Sequence, residues 1–440
     1  MSAVLRGAAP RQRPRRSSAA RLAVLGTTLS LWLTGCAASP SSAPDTTSSM
    51  SSSPAAAGSS AGPSSCPIPD GPVAVAVGGR ANSPAPAAPL PARLAAVVRE
   101  AITATPAGSP SPRLTLVRLD GRSDQTEGGS FFSDAGNETA YQDDQERFLL
   151  SFEAAVAATR AEVPEANVLA ALAVAARAAD DSETGAGTVV LLDSGLSTVP
   201  PLDFSVPGVL DTDPVELVDW LLAQGGMPDF SGKTVIFIGV GDVTYPSAQA
   251  PLDPARHDAL VDFYVTLAKK MNATCTEVVA DPRSGPAPAD VPSVRAVPIS
   301  PPPEPPVPNP HEPFVLPNDH VTGFQPRTAV LLDPAAARDL LRPLGAALAA
   351  DPGMSMLLSG TTANVRSLDE QKDLGRARAE VIKAVLVELG ARPTQIETEG
   401  LGSDFPQYVP DHDSQGHLLP EPAQANRSVR ITLPTGDALP

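Results

Sequence analysis

The stretch that most constrains the fold runs from Met356 to Val429. It opens on an apolar run ending in a small-residue turn, Met356 to Asn364, and enters a long helix signal from Arg366 to Gly390. A short strand signal follows at Gln395 to Ser403, then a polar loop, and the chain closes on Asn426 to Leu433. Ser367 and Glu370 stand at capping-box spacing, so the helix begins there, and Gly390 is placed to end it. Leu374, Ala377, Val381, Ala384, Val385 and Leu389 recur at helical spacing and predict one buried stripe. Gln371 and Arg378 are two turns apart on a common, more polar face.

Gly360–Thr361–Thr362–Ala363, then Leu374–Gly375 with Arg378–Ala379, then Gly400–Leu401–Gly402–Ser403 with Pro406, then Asn426–Arg427 with Val429 resemble the OmpA-like C-terminal domain. The family pattern is a strand ending Gly-His-Thr-Asp, a helix with Leu-Ser-x-x-Arg-Ala, and a closing Asn-Arg-Arg-Val. The resemblance implies a βαβαββ α+β domain over residues 323–440 and non-covalent binding of the peptidoglycan stem peptide. It further implies a ligand set of Arg378, Gln371, Thr361, Thr362, Asn364 and Arg427. In the family an aspartate takes the ammonium of a diaminopimelate and the helix arginine takes its carboxylate. Arg378 keeps the second half, since a guanidinium forks onto a carboxylate. Ala363 stands where the aspartate would, Thr361 replaces the histidine, Gln371 the helix asparagine, Gly375 the serine and Ser428 the second closing arginine. A hydrogen bond to a charged group contributes roughly 1.5–3 kcal/mol, so its loss weakens binding about ten- to a hundredfold. The expectation is weak binding that depends on Arg378 and tolerates a blocked ammonium.

Residues 1–35 read as a lipoprotein signal peptide. Six arginines precede an apolar core from Leu22 to Leu33, too short for a comfortable span, which ends Leu33–Thr34–Gly35–Cys36. That end is similar to a lipobox, which implies lipidation of Cys36 and an extracytoplasmic protein anchored to a membrane by its lipid. Cleavage would remove six arginines and no acids, taking the formal charge from −17 to −23. So acidic a chain excludes nucleic acid as a partner and offers no polybasic membrane patch. Residues 36–65 are Ser, Ala, Pro and Gly with few large apolar groups, a composition that predicts a disordered tether reaching on the order of 100 Å. Cys66 and Cys275 remain, one disulfide in an oxidising compartment.

Residues 66–280 alternate apolar strand signals at Val73–Gly79, Arg113–Leu119, Thr188–Gly195 and Lys233–Gly241 with helix signals at 91–104, 145–161, 165–179, 214–223 and 254–271. Asp213 and Asp253 precede prolines as N-caps. The alternation predicts a three-layer α/β domain with a mainly parallel sheet, and its size and order resemble a von Willebrand A-like, Rossmann-type domain. Metal-binding members carry Asp-x-Ser-x-Ser after the first strand; here Arg80 stands there, which repels a cation, and Asp193–Ser197 is only a partial echo. Gly239–Val240–Gly241 has no continuation into a phosphate cradle.

From Pro282 to Pro326 there are fifteen prolines. They predict a Pro-rich linker over residues 281–322, followed by a strand near Thr328–Leu332 and a helix from Asp333. Asp411, Asp413 and Gln415 with Gly416 start like a calcium loop, but the closing glutamate is misplaced, and a solvated acidic turn is favoured. No cofactor is expected. None of the five histidines stands in a catalytic motif, so the reading is a binding protein and not an enzyme. It fastens membrane to peptidoglycan. The alternative is an adaptor whose C-terminal domain has lost diaminopimelate binding and whose α/β domain docks an unidentified protein.

Overall fold

The computed structural model describes residues 65–433, apart from residues 87, 182, 245–246, 300–303, 306–313, 320 and 326. The signal segment, Cys36 and the tether up to residue 64 lie outside the described residues.

The first module contains β1 (Val73–Val77), α1 (Ala92–Thr103), β2 (Leu114–Arg118), β3 (Asp124–Gly129), α2 (Glu138–Ala158), α3 (Val168–Ala178) and β4 (Gly187–Leu192). A two-residue hairpin of β5 (Thr198–Val199) and β6 (Leu202–Asp203) precedes α4 (Pro214–Gln224), β7 (Lys233–Ile238), α5 (Pro254–Lys270) and β8 (Cys275–Val279). The sheet order is β3-β2-β1-β4-β7-β8, parallel throughout except for the β2–β3 pair. Reading only the six sheet strands, this is the doubly wound order 3-2-1-4-5-6.

Strand alternation sorts the core into two faces. Val73, Val75, Val77, Leu114, Leu116, Val190, Leu192, Ile236 and Ile238 pack under α1 and α2. Their neighbours Ala74, Ala76, Val117, Val189, Leu191, Val235 and Phe237 pack under α3, α4 and α5. Both faces of the sheet are thus covered, which is why its central strands read as continuous apolar runs. The edge strand β3, Asp-Gln-Thr-Glu-Gly-Gly, has no apolar alternation and is missed by sequence. Helix α2 begins at Glu138 rather than 145, because Asn137 caps it by accepting from the Ala140 N–H.

Cys66 and Cys275 are joined, with Cα atoms 5.9 Å apart. The bond fastens the segment before β1 to the edge strand β8. Arg93 of α1 reinforces the join, donating to both Glu277 oxygens and to the Cys66 carbonyl.

The second module contains β9 (Phe314–Pro317), α6 (Pro334–Ala350), β10 (Met356–Thr361), α7 (Leu368–Glu388), β11 (Ile396–Gly402), α8 (Pro420–Asn426) and β12 (Ser428–Thr432). Its sheet order is β11-β10-β12-β9, with β10 and β11 parallel and the other pairs antiparallel. The opening strand therefore lies at 314–317, inside the stretch expected as linker. Thr328–Leu332 contributes only an isolated bridge, Phe324 to Leu331. The short helix α8 interrupts what sequence reads as a polar loop.

Helix α7 corrects the predicted stripe. Its buried residues are Gln371, Gly375, Arg378, Ala379, Ile382 and Leu386, whereas Ala377 and Ala384 are exposed. The reason is a close approach of backbones. A Cβ on Gly375 would stand 2.4 Å from the Gly360 carbonyl oxygen, and one on Gly360 would stand 1.9 Å from that of Gly375. Glycine at both positions lets α7 lie flat on β10, and this turns the Gln371–Arg378 line inward. Val381, Val385 and Leu389 are left half-buried at the side of the core.

The described residues of both modules belong to one compact unit, so the two modules are in contact.

Candidate ligand-binding site

Two places could hold a ligand on these folds: the carboxyl ends of the parallel strands, and the turn after β10. The first is filled. Arg80, just beyond β1, is fully buried and faces Asp193, just beyond β4. Its Nε donates to Asp193 Oδ2 (2.9 Å) and its Nη2 to Oδ1, while Nη1 donates to Asn82 Oδ1 (2.7 Å) and the Leu196 carbonyl (3.1 Å). Gly78 makes room: a Cβ there would stand 1.7 Å from Asp193 Oδ2. The acid that echoes a metal motif is thus the counter-ion of an arginine.

The second place is open. A pocket of about 110 Å³ is lined by Thr362, Ala363, Val365, Arg366, Glu370, Gln371, Leu374, Arg378, Arg427, Arg327 and Glu216. Arg378 is 5% exposed. Its Nε donates to the Thr328 carbonyl (3.0 Å), and its guanidinium carbon lies 5.1 Å from the centre of the Phe324 ring. Among the described residues it has no ion-paired carboxylate, and its terminal nitrogens make no hydrogen bond. Burial, with the neighbouring charge of Arg427, pushes its pKa down to about 10, while the nearby Glu216 pulls the other way.

The turn itself is stiffened by Gln371. Its Nε2 donates to Asn364 Oδ1 and the Arg366 carbonyl (both 3.0 Å), and its Oε1 accepts from the Ser403 N–H (3.0 Å). Thr362, Gln371, Arg378 and Arg427 line this one pocket. Thr361 and Asn364 do not line the pocket. Thr361 is fully buried and its hydroxyl donates to the Asn426 carbonyl (2.7 Å), and Asn364 braces the loop through its N–H to Asp411 Oδ2 (2.8 Å).

Glu216 is the residue that sequence missed. It belongs to α4 of the first module and is ion-paired with Arg427 across the modules. Asp213 fixes its direction, capping α4 by accepting from the N–H groups of Val215 (2.8 Å) and Glu216 (3.1 Å), with Pro214 opening the helix. Burial raises the Glu216 pKa, against the pull of Arg427. The same four residues, Glu216, Arg327, Arg378 and Arg427, also line a larger cleft of about 490 Å³, whose first-module wall carries Asp211, Asp213, Asp258 and Asp262.

The acidic loop holds itself together. Asp411 is fully buried and accepts from Asn426 Nδ2 (3.1 Å) and the Tyr408 hydroxyl. Asp413 accepts from the N–H groups of Gln415 (2.8 Å) and His417 (2.9 Å). Among the described residues no cluster of three His, Cys, Asp or Glu could hold a metal. No helix among them is long and apolar enough to cross a membrane.

Residues 323–415 match the OmpA family, and the second module is an OmpA-like α+β domain. Solved structures similar to the chain include the peptidoglycan-associated lipoprotein of Burkholderia pseudomallei, 24% identical over 25% of this chain and 82% of that one, with a TM-score of 0.19. The periplasmic domain of Helicobacter pylori MotB is 18% identical over 28% of this chain and 75% of that one, TM-score 0.23. The OmpA-like domain of FopA1 from Francisella tularensis is 18% identical over 25% and 70%, TM-score 0.19. No curated protein matches the chain.

Proposed function

We propose that the chain is a lipid-anchored protein of the cell envelope that holds the peptidoglycan stem peptide non-covalently in the pocket of its OmpA-like domain. One observation carries this reading: Arg378 is a buried cation, open to a pocket, with no ion-paired carboxylate and with its terminal nitrogens unbonded among the described residues. A buried charge without a partner is costly, and a ligand carboxylate offsets that cost in a way that a solvated arginine never needs. Anchoring rests on the lipobox-like Leu33 to Cys36, and the Ser/Ala/Pro composition of residues 36–65 supports a tether with the reach from membrane to wall.

The experiment is sedimentation of the full chain with purified, protein-free peptidoglycan, beside an Arg378→Ala variant. Binding by the parent and about a tenfold or greater loss in the variant is expected. Equal binding by both sinks the site and leaves the adaptor reading, in which the α/β domain docks a protein. For the anchor, Cys36→Ala should release the protein from membranes.

A further inference from the structure

The pocket lacks an acid at Ala363 but does not lack an acid. We propose that its ligand site is composite, with Glu216 of the α/β domain supplying the carboxylate for a ligand ammonium while Arg378 takes the adjacent carboxylate. The proposal rests on the reading that the pocket binds stem peptide, and it adds which ligands are told apart and by which domain.

Three observations carry it. Glu216 and Ala363 line the same pocket, although they lie in different modules. Glu216 uses only Oε2 on Arg427; its Oε1 accepts no hydrogen bond among the described residues and is free for a donor. Glu216 is close enough for its charge to act on Arg378 but makes its ion pair with Arg427, so the terminal nitrogens of Arg378 stay open to a ligand carboxylate while the acid is already oriented. Four arginines against two glutamates in the lining fit a ligand that is anionic overall and carries one cationic group. An amino-acid end group with its ammonium beside its carboxylate meets both demands, and a side chain of that kind is what the stem peptide offers.

The arrangement also revises the expectation drawn from Ala363 alone. A chain relying on Arg378 without any acid would not distinguish a free ammonium from a blocked one. With Glu216 in place, the intact chain should distinguish them.

The test is calorimetric titration of the full chain with two stem-peptide probes, one with a free side-chain ammonium and one with that nitrogen acetylated. The parent should prefer the free form by about tenfold or more. Glu216→Gln should bring the two probes to within about twofold of each other, and Glu216→Asp, which keeps the charge, should retain part of the preference. A preference that survives Glu216→Gln overturns the proposal. So does tighter binding of both probes by that variant, which would make Glu216 a plug. Equal binding of the two probes by the parent, lost in Arg378→Ala, overturns the composite site and leaves stem-peptide binding standing. Binding of neither probe overturns the parent reading and the composite site with it.

Discussion

Arg80 and Arg378 are both more than nine-tenths buried, but they are satisfied in opposite ways. Arg80 sits at the switch point of a doubly wound sheet, where such folds open a crevice for ligands. It closes that crevice with two bonds to Asp193 and further bonds to Asn82 and Leu196. Arg378 sits under a turn, hydrogen-bonded to a single backbone carbonyl and packed on a ring, with its terminal nitrogens unbonded among the described residues. The difference teaches that burial alone does not mark a site. The number of unanswered donors does, because a fork with every tine engaged has nothing left for a ligand.

The largest effect should come from breaking the closed end. Asp193→Ala strands Arg80 without its counter-ion and should lower unfolding free energy by about 3–5 kcal/mol in denaturant titrations. The affinity of the distant pocket for wall fragments should stay within about twofold in the protein that remains folded. A stable Asp193→Ala variant would mean that Arg80 finds water, and the contrast with Arg378 would weaken.

Reduction of Cys66–Cys275 opens a loop of 209 residues and should remove roughly 5 kcal/mol from the α/β module on the chain-entropy view. The OmpA-like module carries no cysteine and should keep its own transition in calorimetry. Parallel losses in both modules would show that they unfold as one.

At the open end the sign reverses. Arg378→Ala should cost about tenfold or more in wall binding while leaving unfolding free energy unchanged or raised, since a poorly compensated buried charge is removed.

The smallest effect is on pH dependence. Burial and the Arg427 charge hold the Arg378 pKa down at about 10, well below the usual guanidinium range, so wall binding should fade as pH rises through about 10. Above that pH, and until the unfolded chain's arginine also releases its proton, the unfolded chain holds more protons than the folded one. This group therefore makes folding more favourable, not less, as binding is lost. Binding that is flat through pH 10 would place the ligand charge elsewhere.

Much of this was legible in the sequence. The apolar runs at Val73, Thr188 and Lys233 announce buried parallel strands because both of their faces are covered. Ser367–Glu370 announces the start of α7, since a capping box is local chemistry. What failed was whatever depends on a distant partner. Periodicity puts the α7 stripe on the more apolar side, yet Gly360 against Gly375 decides which side can approach the sheet. The strand β3 is polar because its side chains are almost all exposed, so it has no face to bury. Glu216 reads as an ordinary first-turn acid of a capped helix, and nothing near it in sequence points to Arg427, 211 residues away.

The disulfide has a mechanical meaning as well. With the proposed lipid anchor on one side and the proposed wall contact on the other, the chain would be under tension whenever membrane and wall separate. Force entering at Cys66 need not run through β1 and the sheet beyond it. It crosses the sulfur–sulfur bond to Cys275 and leaves along the last strand toward the second module. The α/β domain hangs beside the line of pull as a closed side loop, shielded from stretching, and the surfaces it presents keep their shape while the rest of the chain goes taut.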